Sequence, residues 1–128
     1  MNKENNFKEK FKQALISTVK VISEDYNLQN NNKKLSEESL KINDLKNIKD
    51  KNEFVKLRAE TDSEALKRKF SNKKIFEKNM PSKPSCRSIY DISEKIRYEL
   101  LGSEMLKGIS QNFYENYKYK LMDVENIK

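Results

Sequence analysis

The chain has 128 residues, a length that suits one domain, and 31 of them are Leu, Ile, Val or Phe, enough for a small core. Charged residues make up 37% of the chain and the mean hydropathy is −1.00, so a lean core with long polar connections is expected. The absence of His and the single Cys exclude an internal disulfide and a zinc cluster, which fits a reducing, cytoplasmic setting.

The net charge of +7 has two interpretations. A basic chain often binds nucleic acid or a membrane surface. Here Lys outnumbers Arg 23 to 4, and there are 15 Asn and 10 Ile. Because Lys, Asn and Ile have AT-rich codons, base composition acting on tolerant solvated positions accounts for most of the charge. We prefer this second interpretation.

Residues 1–25 predict an N-terminal helix. Its apolar residues recur at spacings of four, four, four and three, and they are Phe7, Phe11, Leu15, Val19 and Ile22. Such spacing forms one apolar stripe on a helix. No signal peptide precedes the stripe, and no segment of the chain approaches the ~20 apolar residues that a membrane span requires.

Residues 26–52 predict a polar connection. The run Asn30–Asn32 favours turn or loop. Two alternatives stay open within it: the alternation over 40–42 is compatible with a short strand, and Ser36 with the following acids is compatible with a short helix.

A second helix is predicted over 53–70, with an inner face formed by Phe54, Leu57, Thr61, Ala65 and Leu66. Ser71 or Asn72 can cap a further turn that holds Ile75 and Phe76.

The two prolines, Pro81 and Pro84, must break this run, because proline lacks the backbone donor and clashes with the preceding turn. Ser85 is the expected cap of a third helix, whose stripe we expect to face the core: Ile89, Ile92, Ile96 and Leu100. Gly102 is expected to interrupt or bend that helix. A last helix carries Met105, Ile109 and Phe113 on its inner face.

The predicted fold is therefore mainly α, a small bundle of four to five helices in a single domain. Its helical core spans 53–122 and a tail follows over 123–128.

Three stretches resemble a known family. They are Phe11-Lys-Gln-Ala14-Leu15, then Leu57-Arg58-Ala-Glu-Thr-Asp62-Ser63-Glu-Ala65-Leu66, and Arg87-Ser-Ile-Tyr90-Asp91-Ile-Ser-Glu94-Lys-Ile-Arg97-Tyr-Glu99-Leu-Leu-Gly102, continuing through Met105, Gly108, Ile109 and Asn112. In this order they are similar to the N-terminal region of the T subunit of the aerobic, cobalt-dependent cobaltochelatase of cobalamin biosynthesis. The resemblance covers roughly residues 7–122.

The resemblance implies a complex in which the T subunit pairs with an AAA+ ATPase subunit. Together they drive a large corrinoid-binding subunit that inserts cobalt into the corrinoid ring, using ATP and magnesium. The family continues into an acidic linker and a von Willebrand type A domain with an Asp-x-Ser-x-Ser metal site. Asp91-Ile-Ser93 matches only the first half of that motif, so a fragment, or a protein that has lost its second half, is expected.

This chain itself is expected to be non-catalytic and to hold no metal and no cofactor. It lacks the P-loop Gly-x-x-x-x-Gly-Lys-Ser/Thr, so ATP hydrolysis is not expected here. An assembly role is the predicted function, with structural or partner-binding candidates at Arg58, Asp62, Arg87, Asp91, Glu94, Arg97, Glu99, Gly102, Gly108 and Asn112.

The rarity of Arg supports these candidates without the family. In a chain that uses Lys at 23 positions, an Arg is retained where a planar, bidentate donor is needed. Arg97 and Glu94, and Arg87 and Asp91, have spacings that let them meet on a helix face. One interpretation is that both are exposed surface pairs that contribute little to stability. The other is that they form a network that fixes helix packing. For Arg97 we expect a bond to Glu94 first, with Glu99 or Asp62 as alternatives.

The alternative function is a basic helical nucleic-acid-binding module. It rests on Lys67-Arg68-Lys69, Lys73-Lys74 and Lys78, which enclose Phe70 and Phe76. A helical scaffold for another partner, or a homo-oligomer, also stays open.

Overall fold

The structure is a computed structural model that describes residues 3–26 and 48–126. Of these residues 86% are helical, and they form five helices with no strand among them, which confirms the mainly α prediction. The helices are α1 (Lys3–Ser23), α2 (Lys51–Phe70), α3 (Lys73–Lys78), α4 (Pro84–Met105) and α5 (Lys107–Asn126). The strand or helix considered near 36–42 lies outside the described residues.

Helix α1 buries the C-terminal half of its predicted stripe. Leu15, Val19 and Ile22 are buried, and Ile16, which the stripe did not include, is buried beside them. At the other end Phe7 is largely exposed, and its ring meets Phe54 of α2 edge to face. The sequence therefore predicted the helix and the position of its core contacts, while Phe7 lies at the rim.

Helix α2 is the centre of the bundle, because it packs against α1, α4 and α5. Asp50 caps its start by accepting from the backbone N–H of Asn52. Its predicted inner face is confirmed: Leu57, Thr61, Ala65 and Leu66 are buried, and Phe54 packs partly buried against α1.

The short helix α3 is held at both ends. Asn72 caps it by accepting from the N–H of Ile75, as one of the two predicted caps. The ring of Phe76 stacks on Tyr90 of α4 with centroids 4.6 Å apart, and the Tyr90 hydroxyl donates to the Phe76 carbonyl at 3.0 Å. The chain after α3 is thus fixed before the proline break.

Helix α4 begins differently from the prediction. Pro84 is its first residue, Lys83 stands at the cap position, and no side chain caps the helix, so the prediction of Ser85 as cap is wrong. Proline supplies the helical φ and has no N–H to satisfy, which explains why the start needs no Ser cap. Gly102 does not interrupt the helix, since α4 continues to Met105.

The predicted core stripe of α4 faces outward. Ile89, Ile92, Ile96 and Leu100 are 51–67% exposed, whereas Tyr98, Glu99 and Gly102 are buried. The reason is the close approach of α2, because Leu66 packs directly against Gly102. The prediction that the stripe faces the core is wrong.

Helix α5 follows α4 after the single residue Leu106. Ile109 and Phe113 are buried, as predicted. Met105 belongs to the last turn of α4 and is half-exposed, so its assignment to the inner face of the last helix is wrong. None of the helices in 3–26 or 48–126 combines the length and apolar character that a membrane span requires.

Candidate functional site

Two stretches of the sequence meet at Asp62 and Asn112. Asp62 on α2 is 2% exposed, and its Oδ2 accepts from the Nδ2 of Asn112 on α5 at 2.6 Å. Burial raises the pKa of the Asp62 carboxyl, while the Asn112 bond and the nearby charge of Arg58 oppose the rise. The pair joins residues 50 apart, and the contact fixes α5 against the central helix.

Glu99 forms a second buried polar contact. Its Oε1 accepts from the hydroxyl of Ser63 on α2 and its Oε2 from the hydroxyl of Tyr117 on α5, each at 2.6 Å. Lys95 adds a weak ion pair at 3.9 Å. Burial and the neighbouring Glu99 raise the pKa of Tyr117, so the phenol stays a donor. Glu99 therefore ties three helices together.

Glu94 and Arg97 form the predicted bidentate pair. Arg97 donates from Nε and Nη2 to the two oxygens of Glu94 at 2.9 and 2.7 Å. Nη2 also donates to the carbonyl of Phe70 at 2.8 Å, and Ser71 donates to Glu94 at 2.8 Å. The bond from Arg97 holds the pKa of Glu94 below its ordinary value. Arg97 thus caps the last carbonyl of α2, that of Phe70, and its carboxylate partner is Glu94 instead of Glu99 or Asp62.

The second predicted pair does not form. Arg87 donates from Nε to the carbonyl of Pro81 at 2.9 Å, and within the described residues no salt bridge joins it to Asp91. The carbonyl of the proline turn lies closer to the guanidinium than the carboxylate one turn along α4. Arg87 fixes the entry to α4, and Asp91 is exposed on that helix.

The two glycines have different surroundings. A Cβ at Gly102 would overlap the side chain of Leu66, so this position needs glycine for helix packing. A Cβ at Gly108 would meet no atom of the described residues within 4 Å. Close packing against a neighbouring helix is therefore found at Gly102 and, among the described residues, not at Gly108.

The buried carboxylates are engaged by side chains of neighbouring helices. Glu99 accepts hydrogen bonds from Ser63 and Tyr117, and Asp62 accepts one from Asn112. Across 3–26 and 48–126 there is no group of three His, Cys, Asp or Glu side chains that could hold a metal ion. Five of the ten predicted site residues form the polar connections of α2, α4 and α5, and they are Asp62, Glu94, Arg97, Glu99 and Asn112.

The sequence patterns did not indicate three members of these contacts, Ser63, Ser71 and Tyr117. Ser63 lies within the second stretch of resemblance, directly after Asp62, and that position was the available signal. Tyr117 had no local signal, because its partner Glu99 lies 18 residues away on another helix.

An exposed apolar surface is carried by α4 and α5, with one row of side chains on each helix. On α4 it consists of Ile89, Ile92, Ile96 and Leu100, and on α5 of Tyr114, Tyr117 and Leu121. Tyr117 connects the two rows, because its hydroxyl reaches Glu99 next to Leu100. We call this surface the α4–α5 apolar face. Exposed apolar patches of more than a few hundred Å² commonly mark interaction sites.

The basic stretch 67–78 is partly neutralised. Arg68 pairs with Glu64 at 3.1 Å, Lys69 with Glu24 at 2.5 Å, and Lys73 lies 4.0 Å from Glu77. Phe76 is stacked on Tyr90 and Phe70 packs against the core, so both half-buried rings already have partners within the bundle. These contacts weigh against the nucleic-acid alternative.

Comparison with known proteins gives one family. The model of a family described as cobalamin biosynthesis protein CobT matches residues 5–125. Searches of curated proteins and of solved structures found no significant match.

Proposed function

The chain belongs to the family of the cobalamin biosynthesis protein CobT, and from this membership we propose that it is a non-catalytic assembly module of a cobaltochelatase. Membership supports a role in cobalamin biosynthesis. The proposed complex inserts cobalt into a corrinoid ring in the cytoplasm, using ATP and magnesium. Cobalt is a substrate of that reaction, and the proposed sites of ATP hydrolysis and insertion lie on other subunits.

The α4–α5 apolar face is the observation that supports an assembly role. Seven large apolar side chains expose 40–67% of their surfaces, together on the order of 800 Å², which is what one partner typically buries in a stable interface. A monomer gains nothing by leaving such an area in water. The polar contacts at Glu94 and Glu99 hold the two helices that carry the face.

The proposed partner on this face is the AAA+ ATPase subunit, with the large corrinoid-binding subunit completing the complex. The charge of the face suits a protein partner. Residues 84–126 hold six Lys or Arg and seven Asp or Glu, a net charge of −1, while the whole chain is +7. The excess positive charge therefore lies on the rest of the chain, and the two helices that carry the face are together close to neutral. Interface cores are likewise depleted of charged residues.

The test is co-purification of the chain with the ATPase subunit encoded in the same genome, followed by affinity measurement. Ile92→Lys and Ile96→Lys place charges in the centre of the face, and we expect each to weaken binding at least tenfold. Ile75→Lys on α3 is the matched control, because Ile75 and Ile92 are both 59% exposed and only Ile92 lies on the face.

All three substitutions replace exposed side chains, so the circular dichroism of the chain should not change. Equal binding of the Ile92 variant and the Ile75 control would contradict the proposed face. Failure of the unmodified chain to bind the ATPase subunit would contradict the proposed partner.

A further inference from the structure

A groove of the bundle is lined by α1, by α2 and by the start of α5. We propose that this groove binds a segment of a partner protein in which an Asp or Glu carboxylate is flanked by apolar side chains. The site is separate from the α4–α5 apolar face, and the proposal holds whichever subunit carries the segment.

The groove is open and has a volume of about 480 Å³. Its walls are mainly apolar, with Leu15 and Ile22 of α1 facing Ile109 of α5. Arg58 and Lys107 also line it. Pockets of roughly 300–1,000 Å³ with a few polar groups among apolar walls are typical binding sites.

Arg58 differs from the other three arginines in its surroundings. Arg97 forks onto Glu94, Arg87 bonds to Pro81 and Arg68 pairs with Glu64. Arg58 is exposed and forms no hydrogen bond or salt bridge in the parts of the chain that the structure describes, where its electrostatic partner is the charge of Asp62, which Asn112 already engages. In a chain that otherwise prefers Lys, a retained Arg indicates a forked acceptor, and the described residues leave that acceptor to be supplied.

Gly108, which lines the same groove, is a second and independent observation in favour of a binding site there. Of the two glycines, Gly102 is required by Leu66, but no atom of the described residues lies within 4 Å of a Cβ at Gly108. Gly108 is the second residue of α5, and glycine is less favourable than alanine in a helix. Since packing among the described residues does not require it, close approach of another molecule to the backbone of the groove explains its presence.

The charges of the groove select the occupant. Arg58 and Lys107 are exposed cations, whereas Asp62, the acid that also lines the groove, is buried and bonded to Asn112. A carboxylate complements this arrangement, because it accepts both arms of a guanidinium. The apolar walls favour a peptide over a nucleic-acid backbone, which offers sugars and phosphates and no apolar side chains.

The test uses the full chain as bait for a random 12-residue peptide library, with the Gly108→Leu chain as the counter-selection target. We expect enriched peptides to combine an acidic residue with apolar neighbours. For a synthetic peptide of the enriched sequence, Arg58→Gln should weaken binding at least tenfold, and Arg58→Lys should weaken it less. Replacing the acidic residue of the peptide by its amide should mimic Arg58→Gln.

Lys56→Gln is the control, because Lys56 is an exposed cation on the same helix that does not line the groove. Its variant should bind the peptide as the unmodified chain does. Gly108→Ala should leave the fold intact and raise the urea midpoint of unfolding. A loss of peptide binding in this variant would therefore not be due to a loss of folding.

Four results would overturn the proposal. They are the absence of any enriched peptide, enrichment of peptides without an acidic residue, and equal loss of binding in Lys56→Gln and Arg58→Gln. The fourth is a different occupant, which can be recognised in two ways. A dimer that Gly108→Leu dissociates would mean that a second copy fills the groove. A chain that Gly108→Leu destabilises would mean that a segment of the chain itself fills it.

Discussion

The contact between α2 and α4 depends on the absence of a side chain at Gly102. A Cβ at Gly102 would overlap Leu66, which is fully buried. We expect Gly102→Ala to lower the free energy of unfolding by about 1–2 kcal/mol, because overpacking outweighs the gain in helix propensity. Urea unfolding measures this change.

The same substitution should change sign when Leu66 is removed first. Leu66→Ala alone should cost about 2–5 kcal/mol. Adding Gly102→Ala to that background should recover part of the loss, because the new methyl group then enters a cavity. Equal effects of Gly102→Ala in both backgrounds would show that Leu66 is not what requires the glycine.

Arg97 makes contacts that a lysine cannot reproduce. It donates to both oxygens of Glu94 and to the Phe70 carbonyl, and a point charge cannot make all three bonds at once. Its side chain is 47% exposed, so we expect Arg97→Lys to cost only about 1 kcal/mol of unfolding free energy. Lys95→Arg, two residues earlier, is the control and should shift the urea midpoint little. Equal shifts would mean that the fork contributes nothing.

The carboxyl group of Asp62 is buried, and burial disfavours its charged form. Burial raises its pKa in the folded chain above the unfolded value of 3.8. The folded state therefore holds its proton more tightly, and this contribution to stability is present below that value and is lost as the pH rises through the folded pKa.

Asp62→Asn keeps an acceptor for Asn112 and removes the titration. We expect the stability of the variant relative to the unmodified chain to increase between pH 4 and pH 7. Urea unfolding at both values tests this. A relative stability that falls over the same interval would mean that the charge of Asp62 is favoured in the folded chain.

The elements α2, α4 and α5 are joined by side-chain hydrogen bonds as well as by apolar contact. Glu99 is the common acceptor, and it receives hydroxyl groups from Ser63 and Tyr117. Because Glu99 is buried, the loss of either donor leaves a carboxylate oxygen without a partner. The orientation of α5 against α4 therefore depends on polar groups that local sequence patterns do not reveal.

Tyr117→Phe tests this connection between elements. The substitution keeps the ring and removes the donor, so we expect a loss of about 1–3 kcal/mol in unfolding free energy. Tyr114→Phe is the control, because Tyr114 is exposed on the same helix and its hydroxyl has no partner within the described residues. Thermal unfolding of both variants measures this loss. An equal shift in melting temperature would mean that the hydrogen bond to Glu99 adds no stability.

The whole molecule is a small helical bundle whose excess positive charge and apolar surface lie on different parts. This separation suits a module that meets other proteins through α4 and α5. For the isolated chain we expect no tight binding of Co²⁺ or Mg²⁺ and no ATP hydrolysis, because it has no His and no P-loop. Isothermal titration should show no stoichiometric metal site, and one tight site per chain would contradict the proposed division of labour.

The sequence by itself determined the features that depend on neighbouring residues. Helix α2 and its inner face, the cap at Asn72 and the Glu94–Arg97 pair all follow from spacings of three or four residues. These interactions form within one or two helical turns, so their spacing in the chain is sufficient to predict them.

Only the tertiary structure decided which face of α4 is buried. Its isoleucine row has the helical period of a core stripe, yet Tyr98, Glu99 and Gly102 face inward. The period of a helix identifies an apolar stripe but not the element that packs against the helix. Here α2 decides which side of α4 is buried, through Leu66 and Ser63, which lie more than thirty residues earlier in the chain. The pairing of Asp62 with Asn112 has the same origin, because contacts between distant residues arise from packing and leave no local pattern.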